Sequence, residues 1–453
     1  LAAKSALVLV VVVFGVAASG IAASSVSHSH DTTRSTPHPA TATSAHVPPA
    51  SARSGAQVPA TPSTTIPVQA APATTTPSAE PAPTTTTTPP TPTTTPPAVA
   101  DTSVIRASGT HLVLDGSIYH FTGVNAYEAA TDYGTNAGCG AMLSDAQLNQ
   151  LFGSLPPNSL VRIAALQGSM ATNVTTHAID WAPLDRVFAA AVAHGQRLVV
   201  TIANQSGTCD NGHWEDPSWY DGGFMDVFND PSNSAGTGLT PLSYWDYLQL
   251  LVNRYKDSPA LGMWEPMSEP AAGTCPPEDE PTNCGANQTC PNETAAAQAL
   301  RYFFDTVGGE IHTLDPNHLV ESGMLGGGQC GTGGSDFEYV SASPGIDVLS
   351  YHDYYGPAGL GGDQWNGIGV RLAQAATLAK PIIAGEMGIE AGTGAGCVSP
   401  QVRNSEFASK IQAQSARGAS GTLAWDWVPS AQAGCSYDVG PEDPLLQPGG
   451  AIG

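Results

Sequence analysis

Basic residues are scarce in this chain. Fifteen Lys and Arg stand against 39 Asp and Glu, a net charge of −24. Such a surface repels phosphate backbones, so no nucleic-acid partner is expected. There is no CxxC pair, no Cys/His zinc spacing, no HExxH and no EF-hand loop, and neither a metal nor another cofactor is expected. The first hundred residues lack Cys and Trp altogether, and their only charged side chains are Lys4, Asp31, Arg34, Arg53 and Glu80. Within them, residues 24–100 have almost no large apolar side chains and include the run PTTTTTPPTPTTTPP. That poverty excludes a packed domain, because nothing there offsets the entropy of ordering. The stretch reads as an extended Pro/Thr/Ala-rich linker.

Residues 1–23 have the layout of an export signal: Lys4, then an apolar run over 6–16, then small residues over 17–23. The alternative is an uncleaved membrane anchor, since 6–23 is about long enough to span a bilayer. Export makes the eight cysteines legible as disulfides formed in an oxidising compartment. The expected location is extracellular, with cell-surface or membrane attachment through the N-terminus as the variant.

Residues 101–453 carry nearly all the charge, all eight Trp and all eight Cys. HLVLDGSIYHF reads as a hairpin turning at Asp115-Gly116. Short β-rich apolar runs then recur at 119–125, 159–164, 197–203, 260–264, 318–321, 346–350, 381–384 and 421–425. Amphipathic helical stretches separate them at 144–155, 180–194, 241–255, 294–314, 364–379 and 402–417, with a short fifth helix at 336–341. Alternation of this kind predicts an α/β fold, a (β/α)8 barrel, with the last helix missing or reduced to a turn. Each cysteine then falls in a loop that follows a strand, on the face where such barrels keep their active sites. Cys397 and Cys435 follow neighbouring strands and are expected to pair. One local bridge is expected among Cys275, Cys284 and Cys290.

Two carboxylates stand where strands stop: Glu269 in WEPMSEP after the fourth, and Glu386 in PIIAGEMG at the seventh. Across a closed barrel these ends face each other, so the pair can flank one bond. Retaining glycoside hydrolysis needs one acid for the leaving oxygen and one carboxylate to attack the anomeric carbon, about 5–5.5 Å apart. Other pieces accompany them in order: Arg162 in LVRIAA, Asn204 ending RLVVTIAN, Ser268 before Glu269, His352 and Tyr354 in DVLSYHDYYGP, and Trp425 in TLAWDWV.

Over about residues 104–440 these motifs resemble glycoside hydrolase family 5, in the clan of barrel glycosidases that use strands four and seven. The resemblance implies that Glu269 is the acid/base and Glu386 the nucleophile. It implies that Arg162 and Tyr354 hold the nucleophile, His352 bonds the acid/base region or a sugar hydroxyl, and Trp425 floors the sugar at the cleavage point. Asn204 stands where many mannanases carry Asn, which tilts the expected substrate toward mannan over glucan. Ser268 departs from the family, whose Asn there bonds the sugar 2-OH; a serine would reach that hydroxyl through a water.

The expected activity is retaining hydrolysis of a β-linked polysaccharide, of the endo-β-1,4-mannanase or cellulase kind, by a monomer. Two other readings stay open: a carbohydrate-binding or surface-display barrel with weakened catalysis, and an exo-acting β-glycosidase. Glu265 and Glu321 are expected to be structural and Trp427 to pack. The loop aromatics Tyr127, Trp214, Trp219 and Trp365 are divided evenly between packing and sugar stacking.

Overall fold

The computed structural model describes residues 104–130, 142–173, 177–207, 209–227, 240–276, 284, 288–432 and 434–453. The signal (1–23), the linker (24–100) and Cys139 lie outside these residues. Eight parallel strands form one sheet: β1 Phe121–Asn125, β2 Leu160–Ala164, β3 Arg197–Thr201, β4 Leu261–Glu265, β5 Leu319–Val320, β6 Leu349–Asp353, β7 Ile382–Met387 and β8 Ala419–Ala424. Pairing runs β5-β4-β3-β2-β1-β8-β7-β6. A parallel bridge between Glu321 and Val348 joins the two ends, with Ser322 N donating to Val348 O at 3.0 Å. The sheet is therefore a closed (β/α)8 barrel, as the alternating pattern predicted.

The strands are apolar on both faces because both are covered. Leu160, Val199, Met263, Leu319, Val348, Ile383 and Leu423 fill one end of the barrel interior, and Ile105, Leu112, Leu114 and Tyr119 close over them. Those last four come from the N-terminal hairpin. It turns at Asp115 and Gly116, both at positive φ (51° and 75°), the geometry of a tight two-residue hairpin loop. With that end sealed, the open end is the one where the strands stop.

Helices α1 Asp145–Gly153, α2 Ala182–His194, α3 Tyr244–Tyr255, α4 Glu293–Leu314, α5 Asp336–Ser341, α6 Ile368–Leu378 and α7 Pro400–Ser415 cover the outside. Their starts are set by side chains that satisfy the orphan N–H groups of a first turn. Ser144 and Gln147 make a reciprocal cap on α1, Ser243 caps α3, Asn292 caps α4, and Ser399 caps α7 ahead of Pro400. Among the described residues no helix follows β8. The tail instead buries Leu445, Leu446 and Ile452 in the main core, and Ile452 O accepts from Thr122 Oγ1 on β1 at 3.1 Å. Segments without helical periodicity thus close the outer layer.

Disulfides join Cys275 to Cys284, Cys290 to Cys330 and Cys397 to Cys435. The local bridge and the β7–β8 bridge match expectation. All three brace loops on the open face, and they fit an extracellular protein. No helix among the described residues is long and apolar enough to cross a membrane.

Candidate active site

The strands overrun the apolar stretches that announce them. β4 runs on to Glu265, β6 to Asp353 and β7 to Met387. Their last residues are polar because they face the mouth rather than the core. On β6 and β7 the ladder shifts register between Tyr351 and His352, so that His352 stands opposite Glu386. A bulge of this kind re-aims side chains. Gly385 makes it fit: a Cβ there would lie 2.3 Å from Ser350 Oγ.

Arg162 on β2 is the hub, buried to 5% exposure. Its Nε and Nη2 donate to the two oxygens of Glu265 at 2.5 and 2.6 Å. Nη1 donates to Asn125 Oδ1 at 2.9 Å and to Glu386 Oε1 at 2.7 Å, and Nη2 also reaches Ser268 Oγ at 2.7 Å. Burial disfavours its charge, but Glu265 and Glu386 more than offset this and raise its pKa. A buried guanidinium shared by two carboxylates fixes all three in place. The other oxygen of Glu386 accepts from Tyr354 Oη at 2.5 Å.

Glu269 sits just past β4 at a φ of 57°, a strained conformation for a residue with a side chain. Backbone bonds hold it there: Glu269 N donates to Gly323 O at 2.8 Å, and Ser268 N to Ala203 O at 2.9 Å. Gly323 is itself at positive φ, and a Cβ on it would strike Met267 O at 1.9 Å. His352 Nδ1 lies 2.7 Å from Glu269 Oε1 and 3.4 Å from Glu386 Oε2, so one imidazole bridges both carboxylates.

Burial opposes a charge on Glu269, yet the hydrogen bond and charge of His352, with Arg162 behind, hold its pKa below the usual carboxylate range. Glu386 goes the other way. Burial raises it, helped by the charge on Glu269, against the pull of His352, Arg162 and Tyr354. His352 is raised: burial works against its charge, and Glu386 and Glu269 prevail.

One ligand atom each from Glu269, His352 and Glu386 lies within 4.8 Å of the others. One oxygen of Glu269 and one of Glu386 therefore face each other within that distance. A divalent cation fits this trio poorly, because the Arg162 guanidinium already sits against Glu386. The other acid-and-cysteine group, Cys290, Glu293 and Cys330, has its thiols tied in a disulfide.

The structure brings Arg162, Ser268, Glu269, His352, Tyr354 and Glu386 into one hydrogen-bonded cluster. Trp425 follows β8 and is stacked on Tyr127 at 5.7 Å and 7°. Asn204 forms a parallel bridge with Ser268 and takes Ser206 Oγ on its Oδ1 at 2.8 Å. The Ser268 hydroxyl oxygen accepts from Arg162 Nη2, which leaves its own O–H to donate. Glu265 is the paired, buried carboxylate anticipated for it, and Trp427 is packed in the core. Trp214 is buried and donates to Gly273 O, and Trp219 belongs to an aromatic cluster with Tyr220, Phe224, Tyr244 and Phe303. Trp365 stands 66% exposed on the loop after β6. Sequence reasoning missed Asn125, which bonds Arg162 and also donates to Gly385 O at 3.0 Å. An Asn closing an apolar strand was the available signal.

No family model matches the chain. Curated proteins do: probable mannan endo-1,4-beta-mannosidase C of Aspergillus terreus is 28% identical over 289 residues, 55% of this chain and 64% of that protein. Mannan endo-1,4-beta-mannosidase F of Aspergillus fumigatus is 28% identical over 317 residues, 64% of each chain. The chain thus spans less than two thirds of the length of these relatives. Among solved structures, the endo-1,4-beta-mannanase from Rhizomucor miehei superposes with a TM-score of 0.53 at 18% identity, covering 76% of this chain and 96% of that one. The class is that of (β/α)8 barrels, here with one carboxylate just past the fourth strand and one on the seventh. The sequence likeness is to mannan endo-1,4-beta-mannosidases, and the likeness to the Rhizomucor miehei mannanase is one of fold.

Proposed function

We propose that this chain is a secreted, retaining glycoside hydrolase that cuts β-1,4-linked mannan within the polymer. The observation that carries the reading is the facing pair Glu269 and Glu386, with oxygens within 4.8 Å and Glu386 fixed by Arg162 and Tyr354. Glu386 attacks the anomeric carbon while Glu269 gives its proton to the leaving oxygen. Water then attacks the glycosyl-enzyme ester, with Glu269 taking the water's proton.

Within the structure, the His352 contact pulls the Glu269 pKa below its ordinary value. A glycosidic oxygen entering between the carboxylates displaces the His352 contact with Glu269. Burial then favours the protonated acid on Glu269. The His352 charge, still beside Glu386, favours the ionised nucleophile together with Arg162 and Tyr354. Mannan is favoured over glucan by Asn204 and by the relatives, which are named as mannan endo-1,4-beta-mannosidases.

The test is release of reducing ends from mannan, glucomannan, cellulose and xylan, with Glu386→Ala as control. Mannan is expected to be cut fastest, and the control should lose activity by several powers of ten. Equal activity of the control would remove Glu386 from the chemistry.

A further inference from the structure

Beside Arg162, the barrel interior holds a second pair of acids on adjacent strands. β4 and β5 run in register, with Leu319 beside Met263 and Val320 beside Trp264. Glu321 follows beside Glu265, and its N–H donates to Trp264 O at 2.7 Å. Side chains alternate along a strand, and Leu319 and Met263 fill the barrel interior. Glu321 and Glu265 therefore point inward too, side by side, at 1% and 0% exposure.

The two acids differ in their partners. Arg162 grips both oxygens of Glu265. Glu321 Oε2 accepts from Gly323 N at 3.1 Å, and Glu321 Oε1 is buried with no hydrogen-bond partner. The turn that Glu321 grips sits against Glu265, since a Cβ on Gly323 would lie 2.9 Å from Glu265 Oε1. Ionised, Glu321 would be a bare buried charge against a second carboxylate. Neutral, its Oε1–H becomes a donor with the Glu265 carboxylate beside it. The electrostatics agree. Burial and the charge on Glu265 raise the Glu321 pKa well above its ordinary 4.5, against the pull of the Ser350 hydroxyl and of Arg162.

Each oxygen of Glu321 leads to one of the paired carboxylates. Gly323, held through its N–H, gives its carbonyl to Glu269 N at 2.8 Å. Glu265 seats Arg162, whose Nη1 holds Glu386 at 2.7 Å. A charged Glu321 would compete with Glu386 for that guanidinium.

We infer that Glu321 is a positioning residue for both catalytic carboxylates: as a neutral acid it takes Gly323 N on one oxygen, which supports Glu269, and donates from the other to Glu265, which seats Arg162 against Glu386. The inference rests on the glycosidase reading, and it adds a residue that the strand-end motifs do not include.

The experiment compares Glu321→Gln and Glu321→Met with the full wild-type chain. Glutamine reproduces the neutral acid, with an oxygen for Gly323 N and an amide to donate to Glu265. Methionine fills similar space and does neither. Infrared difference spectra of wild type against Glu321→Gln, at about pH 6, should show the C=O stretch of a protonated carboxyl that the variant lacks. On mannan, Glu321→Gln should keep kcat and KM within about threefold. Glu321→Met should lose about tenfold or more in kcat with KM unchanged, because Glu321 touches no sugar.

Stability carries a matching signature. With its folded pKa raised, Glu321 contributes fully below 4.5 and loses that contribution as pH rises through the folded value. Glu321→Gln lacks this decline, so its melting temperature should gain on the wild type as pH rises.

A difference spectrum without the protonated-carboxyl band would overturn the inference. So would a Glu321→Gln that loses as much kcat as Glu321→Met, or a folded Glu321→Met with wild-type kcat. If Glu321→Met fails to fold, the infrared band and the glutamine kinetics decide. A wild type inactive on every polysaccharide would overturn the glycosidase reading and, with it, the positioning role. An active wild type without the band would overturn this inference alone.

Discussion

Arg162 makes five hydrogen bonds to four side chains, and no other cationic side chain can replace that fork. In Arg162→Lys one ammonium cannot serve both Glu265 and Glu386. Leaving a buried carboxylate unpaired costs about 3–5 kcal/mol, which urea denaturation should register, and kcat should fall about a hundredfold as Glu386 loses its anchor. Ser268 poses a separate question, because its hydroxyl oxygen already accepts from Arg162. Ser268→Asn keeps an acceptor for Arg162 and adds an amide for the sugar 2-OH. The expected gain is about tenfold in kcat/KM on mannan, vanishing on 2-deoxy substrates. A loss on every substrate would mean that the serine is fitted to this site. His352 supplies a pH signature. Its pKa is raised above 6.5, so its stabilising charge is fully present below that value and is lost as pH rises through the folded pKa. Thermal melts of His352→Asn should lack this alkaline decline.

At the scale of elements, the Cys397–Cys435 bond ties the β7 loop to the β8 loop over a separation of 38 residues. Replacing both cysteines with serine should lower stability by about 2–4 kcal/mol, read as a drop in melting temperature. Activity at low temperature should survive, since neither cysteine bonds a site residue. The C-terminal tail does what the eighth helix does in a complete barrel. Deleting residues 444–453 uncovers the sites of Leu445, Leu446 and Ile452. At about 1.5–3 kcal/mol for each buried aliphatic chain, most of the fold's margin would go, and calorimetry should show a broadened or missing transition.

For the whole molecule, the linker reading predicts that a chain starting at Asp101 keeps the activity of the full chain on soluble mannan. A truncated protein that fails to fold would show that the first hundred residues supply structure to the barrel. The strong acidity, with 39 acidic against 15 basic residues, predicts solubility that holds through neutral pH and falls toward the isoelectric point near 4.6.

The fold was legible because its signal is redundant. Eight apolar runs with helices between them have one economical closure, and one misjudged strand end does not change it. The cysteine placement was legible for a related reason: loops that follow successive strands are neighbours in a barrel, so Cys397 met Cys435. Strand ends were read short at β4, β6 and β7, because a run judged by hydrophobicity stops where the chain turns polar, and there the polar residues are the mouth. Two features belong to the tertiary structure alone. The bulge that sets His352 opposite Glu386 depends on register between two strands. The Arg162 contacts to Ser268 and Asn125 join residues far apart in the chain, and hydrogen bonds leave no periodic trace. Local pattern determined which elements form and in what order, and the closure of the barrel decided which polar side chains share a proton or a charge.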